Sequence, residues 1–269
     1  MLRFSGVAVS HTGLVREGNE DSGFLGPTCL LVADGVGGAA AGEVASATAA
    51  YVVSALALAD PGADPVTMLR SSVRLAQEQI AAGVRQDPMR TGMATTLTAV
   101  VTDGERFGLA HVGDSRGYVF RDGRLTRVTH DHTYVQRMVD EGTLREADVP
   151  LHPWRHVVLR SVNGTLAESG DVTPIRLALG DRVLLASDGL TDLVSEPHIE
   201  TVLERHHDDA AAQELLDAAL AAGGRDNITC LLATVIDGAE VVADGALVGA
   251  LREPRNVVDA AAVRMSHSA

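Results

Sequence analysis

The chain has 269 residues, 46% of them hydrophobic, enough to fill the core of one domain of ordinary upper size. Its 22 basic and 36 acidic residues leave a net charge of −14, which argues against nucleic acid or an anionic membrane as the main partner. Every basic residue is arginine, and a chain without lysine excludes a Walker-type phosphate lysine, a kinase strand lysine and Schiff-base chemistry.

Residues 3–10 read as a strand, followed by a loop that carries Arg16, Glu17, Asn19, Glu20 and Asp21. Thr28 to Ala33 is the next strand, and the alanine-rich stretch Gly42 to Ala59 is helical. Pro, Gly and Asp crowd residues 60–65 into a turn. Val66 to Val84 is expected as an amphipathic helix, because Met68, Leu69, Val73, Ala76 and Ile80 recur near helical spacing. Strands follow at 95–101, 106–112 and 117–121, and Asp122-Gly123 marks a hairpin into Leu125 to Val128. Thr133 to Glu141 reads as a helix, and Thr143 to Pro153 as an irregular stretch with two prolines. Strands resume at 157–161, 172–178 and 182–186, then helices at 197–206 and 210–222 precede the strand Ile228 to Val235. Strands in hairpin-linked runs, with helices also in runs, predict an α+β fold of antiparallel sheets covered by helices, not alternating βαβ units.

Cys29 and Cys230 fall in expected core strands, outside any C-x-x-C pattern, and read as buried free thiols of a reducing cytoplasm. No basic region followed by an apolar block opens the chain, so no signal peptide is expected. The apolar stretch Val241 to Leu251 is interrupted by Asp244 and falls far short of the ~20 residues a membrane span needs. A soluble, cytoplasmic, monomeric protein is expected, with residues 1–237 as its domain. Residues 238–269 show no clear period and are expected as a poorly ordered tail.

Chemistry is concentrated in five short acid-bearing clusters: residues 16–21, 34–38, 113–115, 187–189 and 225–227. Asp34, Asp114 and Asp188 each follow an apolar, strand-like run, and Asp226 stands just before another. Carboxylates converging at the ends of buried strands repel one another and lose hydration, so they demand a counter-charge. Oxygen-only ligands suit hard divalent cations, Mg²⁺ or Mn²⁺, which points to metal-assisted phosphoester chemistry. Two other motifs compete. Residues 35–40 fit a relaxed dinucleotide fingerprint, but Asp34 would repel the pyrophosphate and the second parallel strand is missing. Residues 113–117 match the G-x-S-x-G nucleophile elbow, but an elbow must enter a helix and here a strand continues.

Taken together, the clusters resemble the bacterial metal-dependent serine/threonine protein phosphatases (PPM, type 2C). The resemblance spans roughly residues 5–236 and adds Gly92 to Thr96, Thr129 to Thr133 and Arg225 to Thr229, all in the same order. It implies a four-layer α/β/β/α sandwich of two antiparallel sheets flanked by helices, with a dinuclear metal site at one end. Two Mn or Mg ions would be bridged by Asp34, completed by Asp188, Asp226 and the Gly35 carbonyl, with a third, weaker ion at Asp114. Glu20, Asp21 and Asn227 would support these ligands through water or hydrogen bonds. Two ions about 3.5–4 Å apart can share a water, lower its pKa and aim it in line at phosphorus, while Arg16 offers a planar fork for phosphate oxygens. The implied substrates are phosphorylated Ser/Thr proteins, including protein kinases. Alternatives are a phosphatase of an anti-sigma-factor antagonist, or a catalytically weak phosphoprotein-binding module.

Two features qualify the resemblance. Val36 stands where better-known eukaryotic members carry a histidine proposed to protonate the leaving alkoxide. Valine cannot donate a proton, so either a metal-bound water protonates the leaving group or another histidine such as His152 approaches, and aryl phosphates are favoured over phosphoserine. Residues 141–156 correspond to the family's flap beside the site, and their prolines and lone Trp suggest an ordered lid. His130 and His132 flank Asp131 in a spacing that suits a helix start better than metal ligation.

Overall fold

The computed structural model describes residues 1–36, 41–165, 170–239 and 245–265, with side chains as far as Val263. Its strands, in chain order, are β1 (Leu2–His11), β2 (Ser22–Leu25), β3 (Cys29–Ala33), β4 (Gly35–Val36), β5 (Ala94–Thr95), β6 (Leu97–Thr102), β7 (Phe107–Val112), β8 (Arg116–Arg121), β9 (Arg124–Arg127), β10 (Asp171–Ile175), β11 (Arg182–Ala186), β12 (Ile228–Asp237) and β13 (Ala246–Gly249). The helices are α1 (Gly42–Ala59), α2 (Pro65–Gln86), α3 (Tyr134–Asp140), α4 (Asp188–Thr191), α5 (Glu196–Arg205), α6 (Asp208–Ala221) and α7 (Ala262–Met265).

One sheet runs β1-β12-β11-β8-β9 and the other β10-β7-β6-β3-β2-β13, with a small β4-β5 pair alongside. Every pairing is antiparallel, so no βαβ unit exists among the described residues and the dinucleotide reading falls. The strands alternate in what they face. Leu30 and Val32 of β3 meet Val183, Leu185, Leu231 and Val235 of the other sheet in a central layer. Cys29, Leu31 and Ala33 point instead to α1 and α2, and Leu184, Ala186, Cys230 and Leu232 to α5 and α6. The two cysteines therefore occupy different outer layers as free, buried thiols.

α1 is nearly all Ala, Val, Ser and Leu because it is enclosed by the sheet, by α2 and by the C-terminal segment; small side chains let those neighbours approach. By length and mean hydropathy (1.4) it would suit a membrane, but 67% of it is buried inside this layer, as in a core helix.

Three sequence expectations change. Residues 157–161 form no strand: Val158 and Val162 each make a single antiparallel bridge, to Thr133 and Thr95, because no neighbouring strand lies along them. Ser22–Leu25, assigned to no element from sequence, is an inner strand. It is inner because of the third correction: the expected tail contributes β13, which pairs with β2 from Ala246↔Leu25 to Gly249↔Ser22. Ala250, Leu251 and Val263 are then buried against α1. Apolar residues at irregular spacing pack here on two different elements, which hides them from any periodicity search. Residues 240–244 and 266–269 of that expected tail lie outside the described residues.

Candidate active site

Topology brings four acids to one end of the sandwich. β3 and β7 both pair antiparallel with β6, so their C-terminal ends, leading into Asp34 and Asp114, point the same way. In the other sheet β11 ends where its antiparallel neighbour β12 begins, which brings Asp188 towards Asp226. All four line one cavity of about 630 Å³ with Arg16 and Glu20. An adjoining cavity of about 520 Å³ shares Asp114, Asp188 and Asp226 and is walled by residues of the 133–156 segment.

Asp34 is held by its backbone. Thr96 Oγ1 accepts the Asp34 N–H at 2.9 Å, while the Thr96 N–H (2.9 Å) and Thr95 Oγ1 (2.8 Å) donate to the Asp34 carbonyl. A Cβ at Gly35 would run into the Gly42 and Glu20 carbonyls, so only glycine lets β4 pass between the acidic loop and α1. Asn227 stitches that loop to the start of β12. Its Oδ1 accepts the Glu20 N–H at 2.7 Å, and its Nδ2 donates to the Thr12 and Gly18 carbonyls at 2.9 Å each. Ser187 Oγ donates to Asp21 Oδ2 at 2.8 Å and accepts the Thr229 N–H at 2.9 Å.

The electrostatics of this end are adverse. Burial first, then repulsion from Asp21, Asp188, Asp114 and Asp226, pushes the Asp34 carboxyl well above its ordinary range. Asp188 is raised for the same reasons, burial and then Asp114, Asp192 and Asp226. Burial together with Asp131 and Asp192 lifts Asp114 to about 7. Asp21, fully buried, rises to about 6 even though Thr229 and Ser187 stabilise its charge by hydrogen bonds. Asp21 Oδ1 and Asp188 Oδ1 are buried with no hydrogen-bond partner. Orphaned oxygens in a cluster that repels itself are what a cation would satisfy, and an all-oxygen donor set fits Mn²⁺ or Mg²⁺.

The residues singled out from sequence separate into three groups. Asp34, Gly35, Asp114, Asp188, Asp226, Glu20 and Arg16 line the cavity. Arg16 is not a free fork, since its Nη2 donates to Asp226 Oδ2 at 2.6 Å. Asn227 lines the cavity too and ties its loop in place, while the fully buried Asp21 lies behind the wall. Gly37 and Gly38 lie outside the described residues. Ser115 is fully buried, bonded to Thr96 Oγ1 at 2.7 Å, and followed by β8, so no nucleophile elbow exists. His130 pairs with Asp140, and His132 accepts the Gly113 N–H and reaches Asp171. Asp131 takes the Arg116 fork, and Thr133 caps α3.

The match to a family of known proteins follows the same residues. Residues 24–233 match the family described as protein phosphatase 2C. The chain belongs to that family. It is 45% identical over 240 residues to the serine/threonine protein phosphatase PstP of Mycobacterium tuberculosis, covering 88% of this chain and 46% of that protein. The chain thus spans about half the length of the PstP proteins it matches. It is 33% identical to the serine/threonine phosphatase stp of Listeria monocytogenes, over 82% of this chain and 91% of the relative. The crystal structure of the PstP catalytic domain, in complex with two manganese ions, superposes with a TM-score of 0.82 at 42% identity. That match covers 88% of this chain and all of the solved one. Stp1 of Staphylococcus aureus gives 0.78 at 28% identity, over 87% and 96%. The four-layer sandwich expected from the resemblance is therefore both the observed fold and the fold of this phosphatase family.

Two residues at the site escaped the sequence reading. Asp192 lies four residues beyond Asp188, one turn along from it, a spacing that could have signalled it. His156 has no such signal, because only the fold brings the 141–156 segment to this end of the molecule. His156, Asp188 and Asp192 offer ligand atoms within 4.8 Å of one another, with His156 Nδ1 at 3.4 Å from Asp192 Oδ2. His156 lines the cavity beside Val36. His152, the sequence candidate for proton donor, packs against Trp154 instead.

Proposed function

We propose that this chain is a Mn²⁺- or Mg²⁺-dependent phosphatase of phosphoserine and phosphothreonine in proteins. The observation that carries the reading is one 630 Å³ cavity walled by Asp34, Asp114, Asp188 and Asp226, two of whose neighbouring buried oxygens lack partners. The family's phosphatases support it. Asp34, the Gly35 carbonyl, Asp188 and Asp226 would hold a cation pair, and Asp114 a third ion. Bound there, the cations would supply an activated water and neutralise phosphoryl charge.

The protein's own groups do the rest. Arg16, half exposed at the cavity rim, swings between Asp226 and the phosphate oxygens and orients the phosphoryl group. Asn227 holds the loop that carries Glu20, and Ser187 holds one carboxylate oxygen of Asp21. The residues 141–156 form the flap over the second cavity, and His156 there is the group placed to protonate a leaving alkoxide. The catalytic domain is residues 1–237, with β13 and the segment after it packed onto its sheet and α1. Phosphorylated kinases are the partners whose chemistry fits, and the setting is the cytoplasm, with the chain acting as a monomer.

Hydrolysis of p-nitrophenyl phosphate against Mn²⁺ concentration tests this directly. Saturable turnover that vanishes with chelator and in Asp34→Asn is the expected result. Folded protein with no turnover at any Mn²⁺ or Mg²⁺ level would make the chain a phosphoprotein-binding module.

A further inference from the structure

The family match ends at residue 233, yet the chain continues into a segment that touches the acidic loop. β13 runs along β2 until Gly249 faces Ser22, and the next residue, Ala250, donates its N–H to the Asp21 carbonyl at 2.7 Å. Gly249 has φ +65°, and a Cβ there would fall on that same carbonyl. Backbone meets backbone with no side chain between them, a contact only glycine permits.

The segment is then fastened along α1. Ala250 and Leu251 are buried in the α1 layer. Thr48 Oγ1 donates to the Asn256 carbonyl at 3.3 Å and accepts the Val258 N–H at 3.1 Å, and Tyr51 donates to the Ala260 carbonyl at 2.8 Å. Asn256 Nδ2 closes the corner on the Ala250 carbonyl at 2.9 Å.

Asp21 is where this fastening meets the chemistry. Its carboxyl is fully buried, held on one oxygen by Ser187 and unpartnered on the other. The preceding residue is pinned independently, the Glu20 carbonyl taking Ser46 Oγ at 2.5 Å and the Gly35 N–H at 3.2 Å. Asp21 sits between the pinned Glu20 and the sheet residue Ser22, its N–H on Asn19 Oδ1 at 3.1 Å and its carbonyl on the Gly249-Ala250 corner. We propose that residues 245–263 act as a strap whose Gly249-Ala250 corner positions Asp21, and through Asp21 sets the cation affinity of the Asp34 site. This rests on the cation-binding reading above. A strap that merely covered the edge of β2 would stabilise the fold and leave cation affinity alone.

Substitutions in the full chain separate the two roles. Ala250→Pro removes the N–H at the first position of a short 3₁₀ turn, where proline suits the backbone. Gly249→Ala intrudes on the Asp21 carbonyl and carries the test should the proline variant fail to fold. Leu251→Ala weakens the strap's seat on α1 without touching Asp21. The measurements are thermal unfolding of the metal-free protein and calorimetric titration with Mn²⁺, neither of which needs turnover. Ala250→Pro and Gly249→Ala should weaken Mn²⁺ binding about tenfold, the scale of losing a group that orients a ligand. Leu251→Ala should lower the melting temperature at unchanged Mn²⁺ affinity. Mn²⁺ affinity within about twofold of the unsubstituted chain in both corner variants would reduce the strap to a cover. An unsubstituted chain that takes up no Mn²⁺ at all would instead overturn the cation-binding reading, and this inference with it.

Discussion

Arg16 has two claims on its guanidinium. Its bond to Asp226 neutralises a carboxylate of the cavity, and its side chain remains about half exposed, at 49%, so solvent screens part of any phosphate contact. Replacing it with alanine should lower kcat/KM for a phosphopeptide by about 2 kcal/mol, the lower end for a charged fork on an anion. The same change removes a positive charge from beside the cation ligands. The Mn²⁺ concentration for half-activation should therefore stay level or fall. A rise would show that Arg16 works by placing Asp226 and not by holding phosphate.

At the level of elements, the link from β9 to α3 leads into the helix that precedes the 141–156 segment, and one ion pair anchors it. Arg116, at the start of β8, donates to Asp131 Oδ2 through Nε at 2.9 Å and Nη2 at 2.7 Å, with Asp131 almost fully buried. Arg116→Ala would strand that carboxylate, apart from a longer contact with Arg127 at 3.7 Å, at a cost of about 3 kcal/mol readable in urea unfolding. Elements of this kind were legible in sequence to different degrees. Helix α1 is legible at both ends, since Gly42 opens and Asp60 closes a run dominated by Ala, Val and Leu. Asp34, Asp114, Asp188 and Asp226 were legible because each abuts a strand that only a core could use. β13 was not, because Ala246 to Gly249 gains its strand character from β2 and from nothing local. The stretch 157–161 misled in the opposite sense: its valines have strand propensity but find no ladder to join. His156 was invisible because a histidine's role at the end of a loop depends on where that loop is folded back.

For the molecule as a whole, the acidic end makes stability and cation binding depend on pH together. Asp21 and Asp114, raised to about 6 and about 7 in the fold, hold protons that the unfolded chain releases near pH 4. Their stabilising effect is complete below that point and is lost as pH climbs towards 7, so the metal-free protein should melt several degrees lower at neutral pH than at pH 5. Mn²⁺ competes with those same protons, and its stabilisation should grow over the same interval. A melting temperature that is flat in pH without metal would mean that burial and mutual repulsion do not raise these carboxyls. The 141–156 segment contributes something of a different order. The chain has a single tryptophan, Trp154, half exposed and edge-on to Tyr134 at 5.3 Å, two residues before His156. All indole emission from this protein thus originates in a segment whose Val149, Pro150, Arg155 and His156 wall the second cavity, so the polypeptide carries its own fluorophore there and not in the core of the sandwich.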